Sequence, residues 1–135
     1  MRRPPTSLTA AAFAGALVFI GASCGGGDSG PELSGEGESG REIATDEGCA
    51  ACHGNNGQGG AGPAWKGLAG ATVELDDGSS VVADDAYLRT SITDPTVQQR
   101  AGFTLRMPEN SLTDDEINSV IAYIHDLGTE SGDEG

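Results

Sequence analysis

The sequence predicts a small, mainly α-helical domain with one short β-hairpin, and two patterns lead to this prediction. Near the C-terminus, apolar residues recur at the spacing of one helical face: Ile117, Val120, Ile121, Ile124 and Leu127. In residues 72–83, apolar residues alternate on both sides of an Asp77-Gly78 turn, which is typical of a hairpin. The 135 residues suffice for one such domain, and we expect the hairpin to lie at its periphery.

Three helices have recognisable starts, where a side-chain oxygen can accept a hydrogen bond from the first N–H groups. The predicted caps are Ser39 with Glu42, Asp84 or Asp85, and Thr113 with Glu116. Pro95 is expected to end the second helix and Gly128 the third. The first cap places the start of the folded domain at residue 39, shortly before a motif that contains two cysteines.

That motif, Cys49-Ala50-Ala51-Cys52-His53, is the strongest functional signal in the chain. Two thiols and an imidazole in C-x-x-C-H order are what covalent attachment of a c-type haem requires. Each thiol can add across one haem vinyl group, and the two-residue spacer directs both sulfurs to one edge of the macrocycle. The sequence therefore predicts one covalent haem c, held by Cys49 and Cys52, with His53 as an axial ligand of the iron.

Two other chemistries use similar motifs, a thioredoxin-like redox pair and a zinc site. A four-ligand zinc site needs two further ligands, whereas the only other Cys and His residues are Cys24 and His125. A redox pair normally follows a strand and opens a helix. Here a helical stretch precedes the motif, which runs into the loop Gly54-Asn55-Asn56-Gly57. Haem attachment is therefore favoured over both alternatives.

The second axial ligand can be inferred by exclusion. Once a leader is removed, the chain contains one methionine, Met107, and Pro108 follows it directly. The proline disfavours helical geometry at Met107 and stiffens the loop that presents its sulfur. Met107 lies 54 residues after His53, far enough to reach the opposite haem face. We expect its thioether to bind iron, with a core methionine as the alternative. His125 is expected to be an ordinary, partly buried histidine rather than a ligand.

Two further residues are candidates for contact with the haem. Trp65 can close one haem edge with its indole N–H near a propionate, or be a half-exposed packing residue. Arg89 can pair with a propionate, although a solvated charge on a helix surface is the more common outcome. Aromatic residues make up only 4% of the chain, so a buried haem is expected to supply apolar bulk to the core.

The N-terminus has the features of an export signal of the lipoprotein type. Arg2 and Arg3 precede an apolar run over residues 8–20, which is shorter than the roughly 20 residues that a spanning helix needs. Ala22-Ser23-Cys24-Gly25 resembles a lipoprotein cleavage box, in which Cys24 becomes the lipidated first residue. An ordinary cleaved signal or an uncleaved anchor is the alternative. The predicted segments are a signal over 1–23, a flexible tether over 24–38, the domain over 39–128 and an acidic tail over 129–135.

The charge of the exported part bears on its partners. After the leader, the chain has 21 acidic and five basic residues, a net formal charge of −16. Such a field attracts basic partner surfaces and repels nucleic acid. A generic solubilising surface is the alternative. We expect a lipid-anchored protein on the periplasmic or extracytoplasmic face of a bacterial membrane.

Short segments distributed over the domain together form a recognisable pattern: Gly48-Cys49-Ala50-Ala51-Cys52-His53-Gly54, Gly62-Pro63-Ala64, Leu75-Asp76-Asp77-Gly78, Ala86-Tyr87-Leu88-Arg89, Ser91-Ile92-Thr93-Asp94-Pro95, Ala101-Gly102-Phe103, Met107-Pro108 and Ala122-Tyr123-Ile124. With them, residues 40–127 resemble a small class I cytochrome c. The pattern is most similar to the cytochrome c domain of subunit II of some bacterial haem-copper oxidases. The copper domain and membrane hairpin of that subunit have no counterpart here, which indicates a free-standing relative.

The resemblance implies a mainly α-helical fold around a covalent haem, with thioethers at Cys49 and Cys52 and axial ligation by His53 and Met107. It also implies that the carbonyl of Pro63 accepts the other ring N–H of His53. Two strong axial ligands leave no open iron position, so an electron carrier is expected rather than an enzyme.

We expect this carrier to act in a respiratory chain, to or within a terminal oxidase, with a quinol-oxidising complex as another partner. The alternatives are a haem enzyme or gas sensor with an open sixth iron position, and a haem-free thiol redox or zinc protein.

Overall fold

The computed structural model describes residues 31–128, so Cys24, the predicted signal and the acidic tail lie outside the described residues. The described part contains four helices and one two-stranded antiparallel sheet: α1 (Gly35–Asp46), α2 (Ala50–His53), β1 (Thr72–Glu74), β2 (Ser80–Val82), α3 (Asp85–Thr93) and α4 (Asp114–Asp126). None of these helices is long and apolar enough to cross a membrane. The predicted fold class, mainly helical with a small hairpin, is confirmed.

The first helix begins earlier than predicted. Ser34 is its N-cap, and the Ser34 hydroxyl oxygen accepts a hydrogen bond from the Gly37 N–H at 3.0 Å. The predicted cap, Ser39, is wrong, because Ser39 lies inside α1 and its hydroxyl donates to the Gly35 carbonyl at 3.2 Å. Residues 35–38 of the predicted tether are therefore helical. Local helix propensity does not indicate this start, because glycine disfavours helix formation. Packing of α1 against α4 compensates for that cost.

Helices α1 and α4 make the most extensive contact between elements of the described chain. The buried face of α1 consists of small residues, Gly37, Gly40 and Ala44. At Gly40 a Cβ atom would lie 1.9 Å from the backbone oxygen of Ser119 and 3.0 Å from Cβ of Tyr123. The absence of a side chain at Gly40 therefore sets how closely the two helix backbones approach.

The prediction that the hairpin lies at the periphery is wrong, because its inner face belongs to the core. Val73 and Ala83 are almost fully buried, and Leu75 is buried beside them. Strand β1 pairs with β2 in the register Thr72↔Val82, Val73↔Val81 and Glu74↔Ser80. Its end also bonds to a distant loop, through Asp76 N–H to the Gln99 carbonyl and Ala101 N–H to the Glu74 carbonyl, both at 2.9 Å.

The two later helices start as predicted. The Asp84 carboxylate accepts the Tyr87 N–H at 2.9 Å at the start of α3. At the start of α4, Thr113 and Glu116 form a complete capping box. The buried faces of α3 and α4 carry the apolar residues of the core: Tyr87, Leu88, Ile92, Ile117, Val120, Ile121, Tyr123 and Ile124.

Replacing Gly40 by Ala should destabilise the fold, because the new Cβ meets the backbone of α4 rather than a movable side chain. Overpacking of this kind typically costs about 1–3 kcal/mol in the free energy of unfolding. Gly35→Ala is the matched control, since a Cβ there has nothing within 4 Å. Chemical unfolding of the two purified variants checks this. Equal free energies of unfolding would show that Gly40 does not set the crossing.

Candidate functional site

The Cys-rich motif forms a single helical turn. The His53 N–H donates to the Cys49 carbonyl at 3.0 Å, and the turn ends at Gly54, whose φ of +84° suits glycine. Cys49 and Cys52 are three residues apart, so their partly exposed thiols share a face of this turn. His53, at its end, is buried with 7% of its surface exposed.

The loop after the motif folds back over it. The Gly59 N–H donates to the His53 carbonyl at 2.7 Å, and the Gly62 N–H donates to the Cys52 carbonyl at 2.9 Å. This return brings the Pro63 carbonyl to 2.8 Å from Nδ1 of His53. A side chain at Gly62 would crowd the ring, because its Cβ would lie 3.1 Å from Cε1 of His53. The glycine therefore lets the backbone pass beside the imidazole.

The bond to Pro63 fixes the tautomer of His53. A carbonyl oxygen only accepts, so Nδ1 carries the proton and Nε2 keeps a free lone pair. Burial lowers the pKa of His53 below its usual value, since it disfavours the imidazolium, and the Pro63 hydrogen bond opposes this effect. The ring is thus held as a neutral imidazole with Nε2 available to bind a metal.

Trp65 packs against this imidazole. The two rings are stacked with centroids 4.5 Å apart and an interplanar angle of 18°. The edge contact of Trp65 with Tyr123 of α4 has a centroid distance of 6.0 Å. Trp65 is only 6% exposed, so the half-exposed alternative is wrong, whereas contact of its indole N–H with a propionate stays a prediction.

A cleft beside His53 brings the predicted ligands together. It comprises two adjoining cavities of about 100 and 270 Å³ that share five lining residues: His53, Trp65, Ile92, Leu105 and Met107. The larger cavity is also lined by Cys49 and Cys52. Most of the other lining residues of the smaller cavity are apolar. Two thiols, an imidazole and a thioether therefore face one space.

The segment that carries Met107 has no helix or strand of its own and is held by side-chain amides. Nδ2 of Asn110 donates to the Ile92 carbonyl at the end of α3 at 2.7 Å. Nε2 of Gln99 donates to the Phe103 carbonyl at 2.6 Å. Sequence reasoning missed both residues. The one feature of the sequence that could have indicated Gln99 and Asn110 is that a polar amide stands on each side of Met107, in a segment that contains Pro108.

Arg89 lies away from the cleft, on the surface between α3 and α4. Its guanidinium interacts with Asp114, at 3.4 Å, and with Asn118, so it joins α3 to α4. It does not line either cavity of the cleft. The outcome favoured for it, a charge on the helix surface, matches the structure.

His125 is also on the surface, where its Nε2 lies 2.6 Å from the Asp85 carboxylate. About half of its side chain is exposed, which agrees with an ordinary, partly buried histidine. The helical periodicity predicts a position beside the apolar face of α4. In the structure, the ring lies against Asp85 at the start of α3.

The cleft fits a haem by its chemistry, since it is lined largely by apolar groups and combines two thiols at one end with nitrogen and sulfur donors. A family model described as Cytochrome c matches residues 37–128, more than half of the chain. The chain belongs to the cytochrome c family. No curated protein matches this cytochrome. Its cofactor is a covalent haem c, with Cys49 and Cys52 at the attachment positions, and its function is that of a haem-based electron carrier.

The two haem-free alternatives gain no support from the geometry of this cytochrome. Burial raises the pKa of the Cys49 thiol, whereas a reactive redox cysteine needs a lowered one. Within residues 31–128, no group of three or more His, Cys, Asp or Glu side chains is placed to hold a metal ion. A zinc site built from the motif therefore has no further ligands in this part of the chain.

Replacing both Cys49 and Cys52 by Ala should abolish covalent haem and leave an unfolded or rapidly degraded chain, because the cleft then loses the group that fills it. Haem staining after denaturing electrophoresis and limited proteolysis measure the two effects. Ala51→Ser, at an exposed position between the thiols, is the control and should retain haem. A folded, protease-resistant double variant would show that the polypeptide core suffices without haem.

Proposed function

We propose that this cytochrome is a membrane-tethered monohaem carrier that transfers electrons in a respiratory chain, to or within a terminal oxidase. The observation that carries the redox part is the shared cleft, which His53 and Met107 both line. Bound haem supplies a one-electron Fe(III)/Fe(II) couple. The protein supplies the two axial donors and an apolar environment.

His53 and Met107 are the axial ligands in this proposal. Nε2 of His53 has a free lone pair because Nδ1 is bonded to Pro63. The Met107 segment is fixed near the cleft by Asn110, three residues further on, through the 2.7 Å bond to the Ile92 carbonyl. A thioether favours Fe(II) and raises the reduction potential, and two strong ligands leave no site for a substrate. Both effects suit electron transfer.

The membrane tether rests on the sequence before the domain. Residues 1–23 have the pattern of an export signal, and Cys24 stands where a lipid is attached in bacterial lipoproteins. Because Ser34 is bonded to Asp126 and α1 begins at Gly35, the domain starts before residue 39, and the predicted tether is correspondingly shorter than residues 24–38. The lipid would thus hold the domain close to the membrane surface.

The proposed partner is a terminal oxidase, with a basic docking surface. The support is the resemblance to the cytochrome c domain of oxidase subunit II and the net formal charge of −16 after the leader. A negative field of this size accelerates encounter with a basic surface, and the rate falls with ionic strength. A quinol-oxidising complex is the other partner of this kind, as an electron donor.

Replacing Met107 tests the axial ligand. Met107→His should keep a six-coordinate low-spin haem and lower the reduction potential, because imidazole stabilises Fe(III) more than a thioether does. Met107→Ala should leave a position that binds small ligands such as imidazole or cyanide. Redox titration and optical spectroscopy measure both.

Leu105→Ala is the control, since Leu105 lines the same cleft without a donor atom. It should keep the parent spectrum. An unchanged potential and spectrum in Met107→Ala would place the sixth ligand elsewhere, and a high-spin spectrum of the parent protein would favour an enzyme or gas sensor.

Replacing Cys24 by Ser should release the mature domain from membranes, because the lipid is the proposed anchor. Membrane fractionation and intact mass of the mature chain measure this. Ser29→Ala changes the same segment without touching the attachment residue and should remain membrane-bound. A soluble parent protein, or a Cys24→Ser variant that stays on the membrane after its signal is removed, would contradict the lipid anchor.

A further inference from the structure

Attachment at Cys49 and Cys52 would determine which half of the haem enters each cavity of the cleft. The two vinyl carbons of haem are on one half of the macrocycle, and the two propionate groups are on the opposite half. Cys49 and Cys52 line only the larger cavity. The smaller cavity shares His53 and Met107 with it but contains neither cysteine. A haem attached at Cys49 and Cys52 would therefore direct its propionate half towards the smaller cavity.

The smaller cavity contains polar groups that the described protein leaves without partners. Oγ of Ser91 and Oε1 of Gln98 are buried there, and neither has a hydrogen-bond partner among residues 31–128. Arg100 is the one cationic side chain in the lining. No ion pair of Arg100 with the described residues is found. A buried polar group without a partner destabilises the fold, so such a cluster favours a polar occupant.

We propose that Arg100, together with Ser91 and Gln98, binds the haem propionates. A carboxylate can accept hydrogen bonds from a guanidinium and from a hydroxyl. The Gln98 amide donates as well once it is rotated by half a turn, which exchanges its oxygen and nitrogen positions. Arg100 thus replaces Arg89 as the candidate for binding a propionate, since the Arg89 guanidinium contacts Asp114 and Asn118 of α4.

The hairpin holds Arg100 in position. Leu75 and Arg100 form an isolated antiparallel bridge. The residues on either side of Arg100 are bonded to the same strand end, Gln99 through its carbonyl to the Asp76 N–H and Ala101 through its N–H to the Glu74 carbonyl. Three consecutive residues are thus fixed by the hairpin. This backbone support accounts for an arginine being held at a cleft without an ion-pair partner in the described chain.

The charge of Arg100 should affect the redox equilibrium. Fe(III) haem carries one more positive charge than Fe(II) haem, so a nearby cation favours the reduced state and a nearby anion the oxidised state. Without Arg100, the propionate charge is less compensated and the potential falls. The pKa of a propionate that loses its cation rises. As pH rises through that pKa, the new carboxylate stabilises Fe(III), so the potential should decrease with pH.

The test compares the midpoint potentials of the haem-loaded parent protein and Arg100→Gln between about pH 5 and 9, where carboxyl groups with raised pKa values titrate. Arg100→Gln should have a lower potential than the parent, with a stronger dependence on pH. Arg100→Lys should restore part of the potential. Arg89→Gln is the matched control, since it removes the same charge from the α3–α4 surface, and its potential should remain near that of the parent.

Equal shifts in Arg100→Gln and Arg89→Gln would overturn the proposal, because they would show only a general charge effect. A shift in Arg89→Gln alone would restore Arg89 as the propionate partner. If little Arg100→Gln holoprotein is obtained, Ser91→Ala provides the comparison, because it removes a hydrogen-bond donor of the site, and a parent-like titration of Ser91→Ala would refute the site. The readout needs bound haem but no membrane or partner, so its outcome is independent of the proposed respiratory role.

Discussion

The orientation of one imidazole ring connects the cleft to the rest of the molecule. The Pro63 carbonyl holds Nδ1 of His53, Trp65 stacks on the ring, and Tyr123 of α4 contacts the edge of Trp65. Tyr123 in turn lies against α1, where Gly40 provides the space. A continuous set of packed rings thus joins the His53 imidazole, the proposed iron ligand, to the crossing of α1 and α4. A loss of packing at that crossing would therefore change the support of the imidazole.

The opposite wall of the cleft is organised differently. The segment that carries Met107 contains no regular element, and its order comes from Asn110, Gln99 and the end of the hairpin. Few buried residues and no regular backbone hydrogen bonding are typical of regions that open before the whole domain unfolds. The imidazole side is therefore expected to be the more rigid of the two walls.

Features that depend on neighbouring residues were predictable from the sequence. The capping box at Thr113, the apolar face of α4 and the C-x-x-C-H turn are each specified within a few residues, and all three are present. Features that depend on distant partners were not. The start of α1 at Ser34 needs α4 to compensate for its glycines, Arg89 is engaged by residues 25 and 29 positions away, and Asn110 bonds to a carbonyl 18 positions away.

The two ends of the described domain are joined directly. The Asp126 carboxylate, at the end of α4, accepts both the N–H and the hydroxyl of Ser34 at 2.7 and 2.8 Å, just before α1. A force on the chain that precedes α1 would therefore also act on α4, through the bonds between Ser34 and Asp126. The load passes through the helix pair rather than through the Met107 segment. In the tethered carrier proposed above, such an arrangement would keep a pull on the anchor away from the Met107 wall of the cleft.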